Sequence, residues 1–201
     1  ASKTELNNLQ VGGKNLVSNS APISTENWSY DDSWGVSLVD CAKAPNAKAI
    51  RVTAKKNGLT GGGTHKQPID YTKFVNGANY TISAWIRASK QMKIHFRQET
   101  MDAYNYVTIT TEWKYYTFTH SINTSAPYHS NVFYVTNDNN IVTGDWFEVH
   151  SLKLEKGDKA TDWTPAPEDV DNKIYDVESK IQQTADAWTA TFASSGGYNL
   201  I

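Results

Sequence analysis

The sequence predicts an all-β jelly-roll sandwich followed by a helical connector. Three observations carry this expectation. Tyr80 to Ala88 alternates cleanly between apolar even positions and largely polar odd ones, the mark of a half-buried strand. Short runs of the same kind, separated by turn residues, recur through residues 14–160, as in sandwiches and jelly rolls. After Gly157 the pattern changes to a proline-stiffened stretch and then to apolar residues at heptad-like spacing.

In chain order, residues 1–13 are polar and read as the end of a preceding linker or helix, with Gly12-Gly13 as its stop. Gly13-Lys14-Asn15-Leu16-Val17 opens the β region and is echoed by Gly197-Tyr198-Asn199-Leu200-Ile201. Such an echo points to modular repetition, so residues 194–201 are expected to start a second module. Trp28, Tyr30 and Trp34 fall in an early loop, either as a plug at one sandwich edge or as a platform at the end of a cleft. Strands are expected at Ala49–Ala54, Thr64–Ile69 after Gly61-Gly62-Gly63, Tyr80–Ala88 after Asn76-Gly77, and Met92–Glu99. Further strands are expected at Tyr106–Thr110, Lys114–Ile122, Asn131–Thr136 and Trp146–Leu154. No amphipathic helix is expected within residues 14–160.

Residues 161–169, Thr-Asp-Trp-Thr-Pro-Ala-Pro-Glu-Asp, read as a linker, with Asp169 as helix N-cap. A connector helix then spans 170–193. Its apolar residues Val170, Ile174, Val177, Ile181, Ala185 and Trp188 are spaced close to a heptad seam. A single helix of this length is marginal in water. The stripe therefore needs a partner, either its own β region or copies of itself. The β-branched seam favours a parallel trimer.

Composition excludes several classes. The 201 residues carry a formal net charge of -2, which argues against a general nucleic-acid binder. No apolar run reaches the ~20 residues of a membrane-spanning helix. The one cysteine, Cys41, precludes an internal disulfide and reads as a small buried side chain. The chain is rich in large rings, with 7 Trp and 11 Tyr. Most of these rings suit a β core, and the remainder are available to stack on a ligand.

The stretch Leu152-Lys153-Leu154-Glu155-Lys156-Gly157, followed by Ala160-Thr161-Asp162-Trp163-Thr164-Pro165-Ala166-Pro167-Glu168-Asp169, resembles a signature of siphophage tail and baseplate proteins. The phages concerned infect Gram-positive bacteria such as streptococci and lactococci. The opening Val11-Gly12-Gly13-Lys14-Asn15-Leu16 is similar to the start of a module in the same family. Over residues 18–150 the likeness is confined to the jelly-roll pattern and the spacing of Trp113, Tyr116 and Phe118. The resemblance implies a non-catalytic carbohydrate-binding module of the virion. It would lie at the tail tip or baseplate outside the host cell, with host cell-wall polysaccharide, other tail proteins and its own copies as partners. The alternatives are a structural spacer that binds no sugar and a binding appendage of a bacterial wall-degrading enzyme. Neither nucleic acid nor membrane is an expected partner.

A pyranose offers an apolar C–H face and a rim of hydroxyls, which aromatic rings and planar hydrogen-bonding groups complement. By strand parity, Trp85 and Arg87 share an outward face with Lys93, His95 and Arg97. Tyr104 and Tyr106 follow on the next loop, and His65 and Gln67 share a parity on the strand after the glycine run. The expected ligand-binding set is Trp85, His95, Arg97, Tyr104, Tyr106, His65 and Gln67. Coverage of Trp85 by a loop or neighbouring subunit is the competing reading. Trp113, Tyr116, Phe118, Phe147 and Trp163 are assigned to packing.

No catalytic set is expected. Glu99, Asp102, Glu112, Asp138, Asp145 and Glu148 sit mainly near turns, and no nucleophile motif or phosphate-binding loop occurs. The five histidines, His65, His95, His120, His129 and His150, show no metal-ligand spacing. Modules related through the resemblance often hold a structural calcium, for which Glu26, Asp40 and Glu148 are candidate ligands. The sequence Glu148-Val149-His150 departs from the paired aspartates usual there. No other cofactor is expected.

Overall fold

The computed structural model describes residues 13–26, 28, 32–59, 73–101, 103–126, 132–136 and 140–194. The chain divides into two compact units after Ala166. The first is a two-sheet β-sandwich. Among the described residues its strands are β1 Trp34–Asp40, β2 Lys48–Ala54, β3 Asn79–Ala88, β4 Met92–Phe96, β5 Tyr106–Ile109, β6 Lys114–Ser121, β7 Phe133–Val135 and β8 Trp146–Lys156. One sheet has the order β1-β2-β8-β3-β6, the other β5-β4-β7, and every pairing is antiparallel. The expected all-β class with a helical tail is what the structure shows.

Alternation decides the faces. The even residues of β3, among them Ile82, Ala84 and Ile86, are fully buried, as are Ile94 and Phe96 of β4. Phe133 of β7 joins the two layers, its ring 5.4 Å from Phe96 and 5.9 Å from Phe147 of β8. Burying each such side chain contributes about 1.5–3 kcal/mol. Strand β8 changes parity midway. Ser151 takes a left-handed φ of +53°, and the β3–β8 register shifts between Ser83 and Trp85, the behaviour of a β-bulge. The extra residue keeps Phe147 and Val149 on one side of the bulge, and Leu152 and Leu154 on the other, all facing the same core.

Several expectations require correction. Strand β1 lies where a loop was expected, because apolar residues on both its faces hide the alternation. Val36 and Leu38 pack on the main core, while Val39 packs on a small cluster of Cys41, Ala44 and Ala49. Trp28 and Trp34 are core residues at 3 % exposure, which favours the plug over the platform. Tyr30 lies outside the described residues, as do Gly61-Gly62-Gly63 and the strand expected at Thr64–Ile69. Strand β4 stops at Phe96 rather than Glu99, and β8 runs on to Lys156.

Residues 161–166 are not a free linker. Lys153 is fully buried, and its Nζ donates to Thr161 Oγ1 at 2.6 Å and to the Asp162 carbonyl at 2.8 Å. Glu155, 1 % exposed, accepts from the backbone N–H groups of Thr161 and Gly13 and from the Thr161 hydroxyl. A Cβ on Gly13 would lie 2.5 Å from that carboxylate, so the close approach requires glycine. Asn15 completes the closure. Its Nδ2 donates to Ser20 Oγ and to the carbonyls of Leu152 and Thr164, and its Oδ1 accepts from Val17 and Leu154 N–H. Residues 13–16 and 152–164, which fall within the two stretches that carry the resemblance, thus form one latch between the start of the sandwich and its end.

The second unit contains helix α1, Pro167–Ser194. It begins earlier than expected, so Asp169 lies inside the first turn and is not the N-cap. Proline is tolerated there because that N–H has no helical acceptor. Glu168 and Asp169 in the first turn suit the positive end of the helix dipole. Val170, Ile174, Val177, Ile181 and Trp188 are 41–65 % exposed. No helix among the described residues is long and apolar enough to cross a membrane.

Candidate functional site

The outer face of the three-stranded sheet gathers rings around one histidine. In β4, Met92, Ile94 and Phe96 point inward, so Lys93 and His95 point outward, and Arg97 just after the strand reaches Tyr104 on the same side. Tyr106 of β5 and Tyr134 of β7 lie opposite His95 in register on either side. Tyr104 approaches from the β4–β5 loop. The His95 ring centre is 4.1 Å from Tyr106, 5.3 Å from Tyr104 and 5.6 Å from Tyr134, all edge-on. The tyrosines remain accessible, at 70 % for Tyr104, 51 % for Tyr106 and 39 % for Tyr134. Cations brace them: Arg97 sits 4.7 Å over Tyr104, and Lys93 4.9 Å over Tyr106, a favourable placement against the ring faces.

Arg97 is fixed by Nη1 donating to the carbonyls of Met101 and Glu99. An open cleft of about 270 Å³ lies between His95, Arg97, Glu99, Tyr104, Val132 and Tyr134. A second hollow of about 220 Å³ shares Arg97, Glu99 and Tyr104 with it and continues toward Met101 and Asn123. Partial burial, followed by the charges of Arg97 and Lys93, pushes the His95 pKa below its ordinary value. The ring is therefore neutral at physiological pH, with one nitrogen as donor and the other as acceptor. Flat rings, a fixed guanidinium, a neutral imidazole and a carboxylate on one open face match the amphipathic surface of a sugar.

Comparison with known proteins agrees with this chemistry. Residues 15–146 match a family model described as a carbohydrate binding domain. The chain belongs to that family. Three solved structures share the fold at low identity. The tandem CBM22-1–CBM22-2 domain of Paenibacillus barcinonensis Xyn10C is 12 % identical, with a TM-score of 0.53 over 77 % of this chain and 49 % of that one. The arabinose-bound α-L-arabinofuranosidase MgGH51 is 13 % identical, with a TM-score of 0.55 over 73 % of this chain and 27 % of that one. TmCBM61, solved with β-1,4-galactotriose, is 13 % identical, with a TM-score of 0.50 over 72 % of this chain and 99 % of that one. No curated protein sequence matches the chain.

Within this carbohydrate-binding domain, the site residues expected from sequence separate into three groups. His95, Arg97, Tyr104 and Tyr106 come together. His65 and Gln67 lie outside the described residues. Trp85 does not share a face with His95 and Arg97, nor does Arg87 with Lys93. The runs at 80–88 and 92–96 are consecutive in sequence but belong to different sheets, so equal parity sends their outward residues to opposite sides of the sandwich. Tyr134, which lines the same cleft beside His95, is not among the residues expected from sequence. Its signal was present in Phe133-Tyr134-Val135, where two buried residues flank an exposed one.

Trp85 lies instead on the outer face of the five-stranded sheet. Its ring is 5.5 Å from Tyr115 and stacks at 6.1 Å on His150. Trp113, assigned to packing, is also on this face, edge-on to His150 at 4.6 Å and under Arg87 at 4.8 Å. Glu148 is fully buried and held by two arginines. Arg51 Nε and Nη2 donate to its Oε1, and Arg87 Nε donates to its Oε2 at 2.6 Å.

This removes Glu148 from the calcium candidates, and Asp40 is paired with Lys48 at 2.6 Å. Among the described residues, no three His, Cys, Asp or Glu side chains form a metal-holding group. Of the carboxylates considered for catalysis, Asp102 and Asp138 lie outside the described residues. Asp145 pairs with Lys90, and Glu99 lines the cleft.

Proposed function

We propose that the outer face of the three-stranded sheet binds saccharide without cleaving it, and that the chain serves as an adhesion module of a phage tail directed at Gram-positive cell-wall polysaccharide. The observation that carries saccharide binding is the ring of exposed Tyr104, Tyr106 and Tyr134 around His95, with Arg97 and Glu99 at the cleft. Stacking on the tyrosines would supply affinity, while His95, Arg97 and Glu99 would select hydroxyl positions. A glycosidase requires two carboxylates about 5–10 Å apart across a cleft, and among the described residues Glu99 is the single carboxylate lining this one. The tail assignment rests on the resemblance carried by residues 11–16 and 152–169, within which residues 13–16 and 152–164 build the latch.

Weak single sites suit adhesion when displayed in multiple copies, and helix α1 supports such display as a parallel trimer. Placing Ile174 and Ile181 at core a positions and Val170 and Val177 at d puts Lys173 at g and Glu178 at e. In a parallel bundle Lys173 faces Glu178 of the neighbouring copy. An antiparallel pair would instead bring Lys173 toward Lys180, and such e/g charges set orientation.

The test is binding of the fluorescently labelled protein to isolated wall polysaccharides and to a glycan array. Binding lost in both Tyr104→Ala and Tyr134→Ala supports the reading. Binding unchanged in both, or absent for every glycan and wall preparation, overturns it.

A further inference from the structure

The opposite face of the sandwich carries a second, chemically different set of rings and charges. Two neighbouring cross-strand rows define it. In the first, Tyr115 of β6, Trp85 of β3 and His150 of β8 lie side by side in register. In the second, Arg87, Glu148 and Arg51 do the same across β3, β8 and β2. Trp85 is 39 % and Tyr115 44 % exposed, at an interplanar angle of 45°. Together they make a bent aromatic plate that is partly open to solvent among the described residues. The arginine side chains are about one third exposed, at 33 % for Arg51 and 32 % for Arg87.

The charge row is unbalanced. One buried carboxylate meets two guanidinium groups, leaving one net positive charge on the row. Glu148 spends both its oxygens on Arg51 Nε and Nη2 and on Arg87 Nε. Among the described residues, Arg87 Nη1 and Nη2 and Arg51 Nη1 have no protein acceptor. These donors are also held in place. Arg51 lies 4.5 Å over Trp146, and Arg87 4.8 Å over Trp113. His150 adds a further unmet group: it is 4 % exposed, its Nδ1 pairs with Ser151 Oγ at 2.9 Å, and its Nε2 has no partner. The face therefore offers an accessible aromatic plate beside fixed charged donors, while the carboxylate of the charge row, Glu148, is already consumed.

We infer that this face is a second saccharide-binding surface, specific for a sugar bearing a carboxylate or phosphate. Guanidinium donors bond an anionic oxygen more strongly than a neutral hydroxyl, and the carboxylate of this row is already spent on the arginine Nε and Nη2 groups. An acidic sugar supplies the missing acceptor oxygens to the arginines while its C–H face rests on Trp85 and Tyr115. Charge-assisted bonds from preoriented guanidinium groups are the stronger kind. A second copy of the chain does not satisfy this surface by the same face, because two such rows would place like charges together. The inference is independent of the tyrosine cleft.

The experiment titrates the whole chain with hyaluronan tetrasaccharide, its methyl-esterified neutral form, and galactose 6-phosphate with galactose as control. Indole N–H resonances and calorimetry provide the readouts. The expected result is binding of the acidic members at least tenfold tighter than their neutral counterparts, weakening several-fold from 50 to 300 mM salt. The acidic binding should shift the Trp85 indole signal, disappear in Trp85→Ala and in Tyr115→Ala, and persist in Tyr134→Ala. Response to the tetrasaccharide alone or to the phosphate alone identifies the anion within the proposed class. Equal affinity for neutral and acidic members, no binding of either acid at 10 mM, or loss through Tyr134→Ala with Trp85→Ala unaffected overturns it. Dimerisation abolished by Trp85→Ala also overturns it, since the plate would then be a protein interface. Because the two faces are read by different variants, failure of one is distinguishable from failure of the other.

Discussion

Replacing Asn15 by alanine tests whether the latch closes the sandwich. Asn15 is fully buried and reaches five partners, at 3.0 Å to Ser20, 3.2 Å to the Leu152 carbonyl, 2.9 Å to the Thr164 carbonyl, 3.0 Å from Val17 N–H and 3.3 Å from Leu154 N–H. Alanine leaves those two N–H groups and the hydroxyl without this partner, and the carbonyls with fewer. Each buried unsatisfied group costs about 1–3 kcal/mol. Because the groups share one pocket and relax together, the sum is expected at about 3–5 kcal/mol. That is a large part of the 5–15 kcal/mol typical of a domain. Urea unfolding followed by tryptophan fluorescence should show the midpoint falling with its slope unchanged. Asn15→Asp keeps the acceptor oxygens but turns a carboxylate toward the Leu152 and Thr164 carbonyls, so it should lose at least as much. Asn79→Ala removes only an exposed bond to Asp158 and serves as a control with little expected change. A loss under about 1 kcal/mol in both Asn15 variants would refute the latch.

Tyr134→Ala should weaken saccharide binding at the tyrosine cleft by about five- to thirtyfold, the effect of losing one stacking ring worth about 1–2 kcal/mol. Calorimetry with a glycan identified on the array measures it, and an unchanged affinity excludes Tyr134 from the site. His150 gives a pH signature. Burial first, then the charges of Arg87 and Lys43, lower its pKa from 6.5 to about 4. The unfolded chain takes up its proton near pH 6.5 while the folded chain resists until about pH 4. Stability is therefore present above pH 6.5 and is lost as pH falls toward 4. The loss is about 2 kcal/mol after allowance for solvent screening, and a His150→Gln variant with the same slope would contradict it. Helix α1 should drive concentration-dependent trimerisation, seen by light scattering and abolished by Ile174→Asp. A strict 22.4 kDa monomer at high micromolar concentration, unchanged by that substitution, removes the bundle. Purified protein should release no reducing ends from wall material, and release abolished by Glu99→Gln would show catalysis at the cleft.

The sequence by itself determined the β class, because strand parity is a local property. Tyr80 to Ala88 and Met92 to Phe96 alternate in sequence and bury their even residues in the structure. Helix α1 was legible for the same reason, its period needing only neighbours three and four residues away. Strand β1 was not, since apolar residues on both its faces erase the alternation. Parity gives each strand an inside and an outside but not the sheet it joins. That choice rests on partners far along the chain: β3 pairs with β6 and β8, whereas β4 pairs with β5 and β7. Only the tertiary structure could therefore separate Trp85 from His95, bring Tyr134 beside the latter, and set Glu148 between Arg51 and Arg87. Lys153 and Glu155 show the same limit. A charged alternation in sequence suggests a solvated face, yet both side chains are buried, because residues 13–16 and 161–166 fold over them and satisfy their charges with hydrogen bonds.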